Sequence, residues 1–258
     1  MRHNDNRRTN AQADMPLTGH LRELRNRIVI CAVTLAAGIM VCLSFSGRLI
    51  NLLTAMGKPY GYNFVYLAPQ ELLLVYFQMA FLGGIVIAVP VIAYEVYAFC
   101  SPALEKEGKR AFLSAMIFGA FCFCIGVAFA YFIVLPFMLG FLVKFSVGMD
   151  ITNNISIGEY INFLTTIFII FGIIFEMPII CVTLSGLGIL KPQWLANGRR
   201  YAIVAIFVVA AIITPPDVVS QIMVAVPMLG LYELSIWLSR LSAAARRTRK
   251  QEKEAAEE

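Results

Sequence analysis

The sequence predicts an all-α polytopic membrane protein with six transmembrane helices and both termini in the cytoplasm. Three observations carry this. The 258-residue chain is 59% hydrophobic and 14% charged, against about 45–50% and 25% in soluble domains. Its apolar residues gather into runs long enough to cross a hydrocarbon core about 30 Å thick. Its Lys and Arg collect in alternate segments between those runs, as they do on the cytoplasmic side of membrane proteins.

The first span is predicted at 28–47, after a polar segment, 1–27, that holds six arginines. That segment is longer than a signal-peptide n-region and no small-residue cleavage site follows, so the run is read as a retained helix. The second span, 76–100, contains Gly83, Gly84 and Pro90, with the acid Glu95 near its end. Glu95 receives no role from the sequence beyond reaching the interface. The third run, 111–143, exceeds the length a span needs and is expected to tilt, to bend at Pro136 or to project from the membrane. The fourth, 160–187, contains Glu176 two residues before Pro178.

The fifth and sixth runs, 201–216 and 218–232, are short, and Thr214-Pro215-Pro216-Asp217 turns the chain between them. The prolines stop one helix and Asp217 can cap the next. Helices of this length reach about 23 Å, short of the bilayer core. Either thinning, snorkelling or neighbouring protein meets the mismatch, or the helices continue through partly polar flanks.

Charge sets the orientation. Eighteen Lys and Arg lie in 1–27, in the segments after the second and fourth spans, and in the tail; Arg48, Lys58 and Lys144 alone lie on the other side. The membrane domain is therefore 28–238, preceded by a cytoplasmic segment 1–27 and followed by a charged cytoplasmic tail, 239–258, expected to be disordered. Tyr60, Tyr62, Phe64 and Tyr66 in the first outer loop suit a cap at the outer interface. No internal repeat is visible, unlike the paired halves of many secondary transporters.

The net charge of +5 is placed between spans, which argues against nucleic acid and leaves anionic membrane lipid as a partner. The six cysteines lie in or at the ends of apolar runs without a CxxC pair, as small buried hydrophobes do. GxxxxGK[ST], HExxH and GxSxG are absent, and both histidines, His3 and His20, precede the first span. No catalytic residue, metal site or cofactor is expected.

Polar groups in unusual places are the candidates for function. An ionisable residue at bilayer depth costs a few kcal/mol, about 2.5–3.5 for the costly charged residues. Glu176 is thus either a functional intramembrane acid or a protonated one that only bonds a neighbouring helix. On the cytoplasmic side, Glu23 stands between Arg22 and Arg25, and Glu105 and Glu107 stand among Lys106, Lys109 and Arg110. Carboxylates in two segments of one face can receive guanidinium groups in bidentate pairs that favour Arg over Lys. The alternative is local pairing with the adjacent cations. Two rival classes are weaker: a proton-coupled transporter using Glu176, and a membrane-embedded hydrolase, for which Asp217 is the only Asp in the last hundred residues.

Five segments in order resemble the TatC family, core membrane subunits of the twin-arginine protein translocase: HLxELRxR at 20–27, FxxPAL at 99–104, Ala128-Phe129-Ala130-Tyr131-Phe132 with Pro136, FGxxFExP at 171–178, and TPPDxxSQ at 214–221. The resemblance implies a concave, glove-like bundle in the inner membrane. It implies a receptor for twin-arginine signal peptides, exporting folded precursors with the proton-motive force and single-span partners of the TatA and TatB type in a multimeric complex. By the same resemblance Glu23 is the N-terminal signal-contacting acid, with Arg22 and Arg25 beside it and Phe99 as an apolar contact. The family's second acid falls at Gly108 here, so Glu107, with Glu105, is its substitute. Glu176 faces the concave interior, and Thr214, Gln221 and Asp217 form a polar patch for a partner helix.

Overall fold

The computed structural model describes residues 17–100, 106–144, 153–214 and 216–257. Its helices in chain order are α1 (Leu17–Leu43), α2 (Ser46–Gly57), α3 (Pro69–Cys100), α4 (Lys106–Phe129), α5 (Leu135–Val143), α6 (Ile157–Leu187), α7 (Pro192–Asn197), α8 (Arg199–Ile213) and α9 (Val218–Glu257). Two short strands, β1 (Asn63–Val65) and β2 (Asn154–Ser156), pair in parallel with Phe64 opposite Ile155.

Side-chain contacts fix how the long helices run. Arg27 near the start of α1 meets Glu95 near the end of α3, so these two are antiparallel. Gly119 of α4 lies against Glu176 of α6, and Gly126 against Phe171, so these are antiparallel as well. Ser242 of α9 donates to the Val182 carbonyl of α6, 3.1 Å away. The start of α1 and the ends of α3, α6 and α9 therefore share one end of the bundle, here the entry end. The β pair and α2 lie at the far end.

The far end is where the core is densest. Ile50 and Leu53 of α2, Met79 of α3, Leu135, Met138 and Leu139 of α5, and Ile161 and Leu164 of α6 are all buried there. Tyr62, expected at a lipid interface, instead turns inward and donates to the Leu139 carbonyl at 3.3 Å. Tyr160 donates to the Leu53 carbonyl at 2.9 Å and packs on Phe64. Tyr66 remains exposed, as an interfacial aromatic would be. Glu71, in the first turn of α3, accepts from Ser156, from the Leu67 amide at 2.6 Å and from the Gly158 amide at 2.7 Å. One carboxylate thus ties the starts of α3 and α6, where free helix N–H groups need acceptors.

The long third run is irregular just before Pro136. A π-helical stretch, Ala130–Val134, precedes it, and the Leu135 amide donates to the Ala130 carbonyl. Proline lacks an N–H and crowds the carbonyl four residues back; one widened turn absorbs both defects. The helices of α3, α6 and α9 carry Pro90, Pro178 and Pro227 in their interiors.

The final helix corrects the expectation of a short sixth run. It has 40 residues rather than ending near Tyr232, and it continues through the tail at 239–257. Glu233, just past Tyr232, pairs with Arg199 at 2.7 Å. The Ala, Arg, Lys, Gln and Glu beyond it are strong helix formers. The fifth run stays short: α8 has 15 residues. Among the described residues five helices are long and apolar enough to cross a membrane, and α8 is not one of them.

Close approach of α1 and α3 depends on glycine. A Cβ on Gly84 would stand 2.7 Å from Ile39 Cγ1 and 2.9 Å from the Ile39 amide nitrogen. Backbone cannot give way as a side-chain tip can, so Gly84→Ala is expected to destabilise the protein by about 1–3 kcal/mol, the usual cost of overpacking. Thermal unfolding in detergent checks it, with Gly230→Ala, where a Cβ meets open space, as the comparison.

Candidate functional site

The entry end holds a three-residue polar cluster. Glu23 and Arg27 are one turn apart on α1, a spacing that puts both on one face of the helix. Arg27 Nη2 and Nε donate to Glu23 Oε1 at 2.6 and 3.1 Å, and Nη1 donates to Glu95 Oε2 at 2.9 Å. The antiparallel packing of α1 and α3 brings Glu95 across. Glu95 is buried at 9% exposure, and Glu23 and Arg27 are half-buried.

Burial decides what this cluster is. Exposed ion pairs contribute little, but in a partly desolvated group the loss of one member leaves a charge without its partner. Two carboxylates face one guanidinium, so one negative charge is left over. Glu23 Oε2 and Glu95 Oε1 accept no hydrogen bond among the described residues. The cluster therefore holds one guanidinium and keeps acceptor capacity for more.

The other sequence candidates are distributed around it. Arg22 and Arg25 are exposed, and among the described residues Arg25 donates to Asn26 alone, at 3.5 Å. Phe99 is half-buried one turn beyond Glu95 on α3. Glu105 lies outside the described residues; Glu107 is in the first turn of α4, with its side chain outside them. Sequence reasoning passed over Arg27 and Glu95. The signals were present: the Glu23–Arg27 spacing, and an acid kept inside an otherwise apolar helix.

Glu176 projects from α6 toward α4 and is half-buried. A Cβ on Gly119 would come within 2.7 Å of its Oε2, so the missing side chain at 119 makes the room that the carboxylate occupies. Glu176 forms no ion pair among the described residues.

The polar residues between α8 and α9 are mostly satisfied internally. Thr214 is buried and donates to the Ala210 carbonyl at 2.9 Å. Gln221 donates to the Phe207 carbonyl at 3.0 Å, bridging the two helices. Asp217 accepts from the Ser220 amide at 2.7 Å, as a helix cap does. That amide holds the Asp217 carboxyl below the usual carboxylate range. A lowered folded value makes the cap a stabilising contact at neutral pH, lost as pH falls through that value.

Fold and site together define a multi-span helical membrane protein with a partly buried carboxylate–arginine cluster at one end and, among the described residues, no metal-binding group of His, Cys, Asp and Glu. Residues 19–227 match the family described as Sec-independent protein translocase protein (TatC). The chain is 38% identical over 226 residues to TatC of Desulforapulum autotrophicum, covering 86% of this chain and 83% of that one. It is 39% identical over 235 residues to TatC of Aquifex aeolicus, covering 88% and 96%. A crystal structure of the twin arginine translocase receptor TatC superimposes with a TM-score of 0.78 at 38% identity, covering 86% of this chain and 99% of that one. The chain belongs to the TatC family of Sec-independent protein translocases. It is a membrane-embedded transport protein, a component of a translocase.

Proposed function

We propose that this protein is the receptor for twin-arginine signal peptides and the core of a translocase that exports folded proteins. The observation that carries the reading is the guanidinium of Arg27 held between Glu23 and Glu95. A pair of carboxylates that seats an arginine of the chain itself has the chemistry to read arginines of a ligand. Planar forks suit this pairing where a lysine ammonium does not.

The entry end is cytoplasmic in this reading, with six spans in a concave bundle and α8 as the short one. The Lys and Arg excess, and the end shared by the start of α1 and the end of α9, support it. Residues 1–27 are the cytoplasmic segment, 28–238 the membrane domain, and the helical tail lies in the cytoplasm. Glu23 is the main contact for the signal peptide. Glu107 and Glu105 lie in the neighbouring segment, Phe99 offers an apolar surface, and Arg22 and Arg25 flank the acid. Single-span partners of the TatA and TatB type dock beside α8 and α9, near Thr214, Gln221 and Asp217. The proton-motive force drives transport, in a multimeric complex.

Site-specific photocrosslinking tests the reading, with probes placed around Glu23 and Glu107 and a precursor carrying Arg-Arg or Lys-Lys in its signal. Crosslinks that appear with Arg-Arg and fade with Lys-Lys are expected. Equal crosslinking with both would reduce the acids to local ion pairs.

A further inference from the structure

We propose that Arg27 is the resident occupant of a guanidinium site built by Glu23 and Glu95, and that an arginine of the incoming signal takes its place. The inference rests on the receptor reading above and assigns to that site its second acid and its regulation.

After Glu105 and Glu107 the segment between α3 and α4 continues with Gly108, Lys109 and Arg110. Glu95 supplies a carboxylate elsewhere on the same face, on the last turns of α3. It is held 2.9 Å from Arg27, whose other donors engage Glu23. Both acids thus already converge on one guanidinium. Each keeps an oxygen that accepts no hydrogen bond among the described residues.

Without a signal peptide, Arg27 keeps two half-desolvated carboxylates from facing each other uncompensated. With one, an incoming guanidinium makes the same pairs, and Arg27, four residues along a helix from Glu23, swings toward the exposed side of α1. The exchange replaces like with like, so it needs no net loss of ion pairing. It also sets a threshold. A lone lysine brings charge but no fork, and does not match what it must displace. Arg27 then acts as a selectivity filter by competition, and Glu95 is a specificity-determining residue.

The test measures binding of a fluorescent synthetic Arg-Arg signal peptide, and of its Lys-Lys counterpart, to the full-length protein in lipid nanodiscs. Glu95→Gln is expected to weaken Arg-Arg binding about tenfold or more, the scale of one charged hydrogen bond, with little change for Lys-Lys. Arg27→Gln is expected to tighten both peptides severalfold and to narrow the difference between them. Glu95→Asp and Arg27→Lys keep the charges and serve where the first variants fail to fold. Glu95→Asp should weaken Arg-Arg binding and Arg27→Lys should tighten it.

A wild-type protein that binds both peptides alike would sink the receptor reading itself. If the wild type prefers Arg-Arg but Glu95→Gln, or its Asp substitute, keeps that preference intact, Glu95 is no part of the site. If Arg27→Gln, or its Lys substitute, weakens Arg-Arg binding as Glu95→Gln does, Arg27 is a strut and the exchange is wrong.

Discussion

Glu23→Ala is expected to cut export of twin-arginine precursors at least tenfold while the protein stays in the membrane at normal levels. Glu23 is the acid that takes two of the three bonds from Arg27, at 2.6 and 3.1 Å. Its removal leaves Arg27 with Glu95 alone and takes away one of the two carboxylates of the cluster. Truncating one member of a buried, hydrogen-bonded charge pair typically costs about 2–5 kcal/mol. Glu23 is half-buried, so the lower part of that range applies, and even the lower part exceeds the 1.4 kcal/mol that corresponds to tenfold. Folding should suffer little, because the dense core lies at the far end, around Met138 and Leu164. Glu105 and Glu107 lie in the neighbouring segment, and their joint replacement by Ala is expected to reduce export less than Glu23→Ala. Export of a reporter and membrane-fraction immunoblots separate loss of recognition from loss of protein. Unchanged export with Glu23→Ala at normal protein levels would remove the acid from the receptor.

Much of this architecture was legible in the residues. Uncharged runs of spanning length and the alternating Lys and Arg segments locate the long helices, because a bilayer imposes a length and a charge bias that a soluble fold does not. The Pro-Pro-Asp turn marks the break between α8 and α9 for the same local reasons that govern any helix end. What the sequence hid was long-range. The parallel pairing of Phe64 with Ile155 joins two loops about ninety residues apart at the far end, and three-residue strands carry no periodicity to announce it. The inward turn of Tyr62 depends on the Leu139 carbonyl, which only the packed bundle brings near. α9 runs well past the short apolar stretch at 218–232 and through its polar flank, where Glu233 finds its partner, Arg199, on another helix.

The candidate site divides in the same way. Glu23 and Glu176 stand out from sequence alone, one by its place among arginines and the other by its depth. Glu95 does not, since an acid at the end of a span is readily explained as snorkelling. Its meaning depends on Arg27, and the two are 68 residues apart. Arg27 is one of six arginines in 1–27; its spacing from Glu23 marks it as a helix-face partner, but its contact with Glu95 appears only once α1 and α3 are packed.

Glu176→Gln is expected to retain most transport, and Glu176→Ala to lose most of it. The half-buried carboxylate lies in a space opened by Gly119. Gln fills that space with a polar side chain of equal length and keeps an acceptor and a donor for whatever passes or docks there. Ala removes the polar group and leaves the space empty. Where charge itself is the requirement, Gln should fail as Ala does, so the pair of variants separates polarity from ionisation. Gly119→Ala adds a second handle. Its Cβ would overlap Oε2, the tip of a flexible side chain, so the carboxylate can move aside at little cost in stability while losing its position. Transport by Gly119→Ala should therefore fall with the unfolding temperature nearly unchanged. Combined with Glu176→Ala, it should add nothing further, as expected for two residues that share one contact. Additive losses would mean that Gly119 acts through helix packing and that the position of the Glu176 carboxylate does not matter for transport.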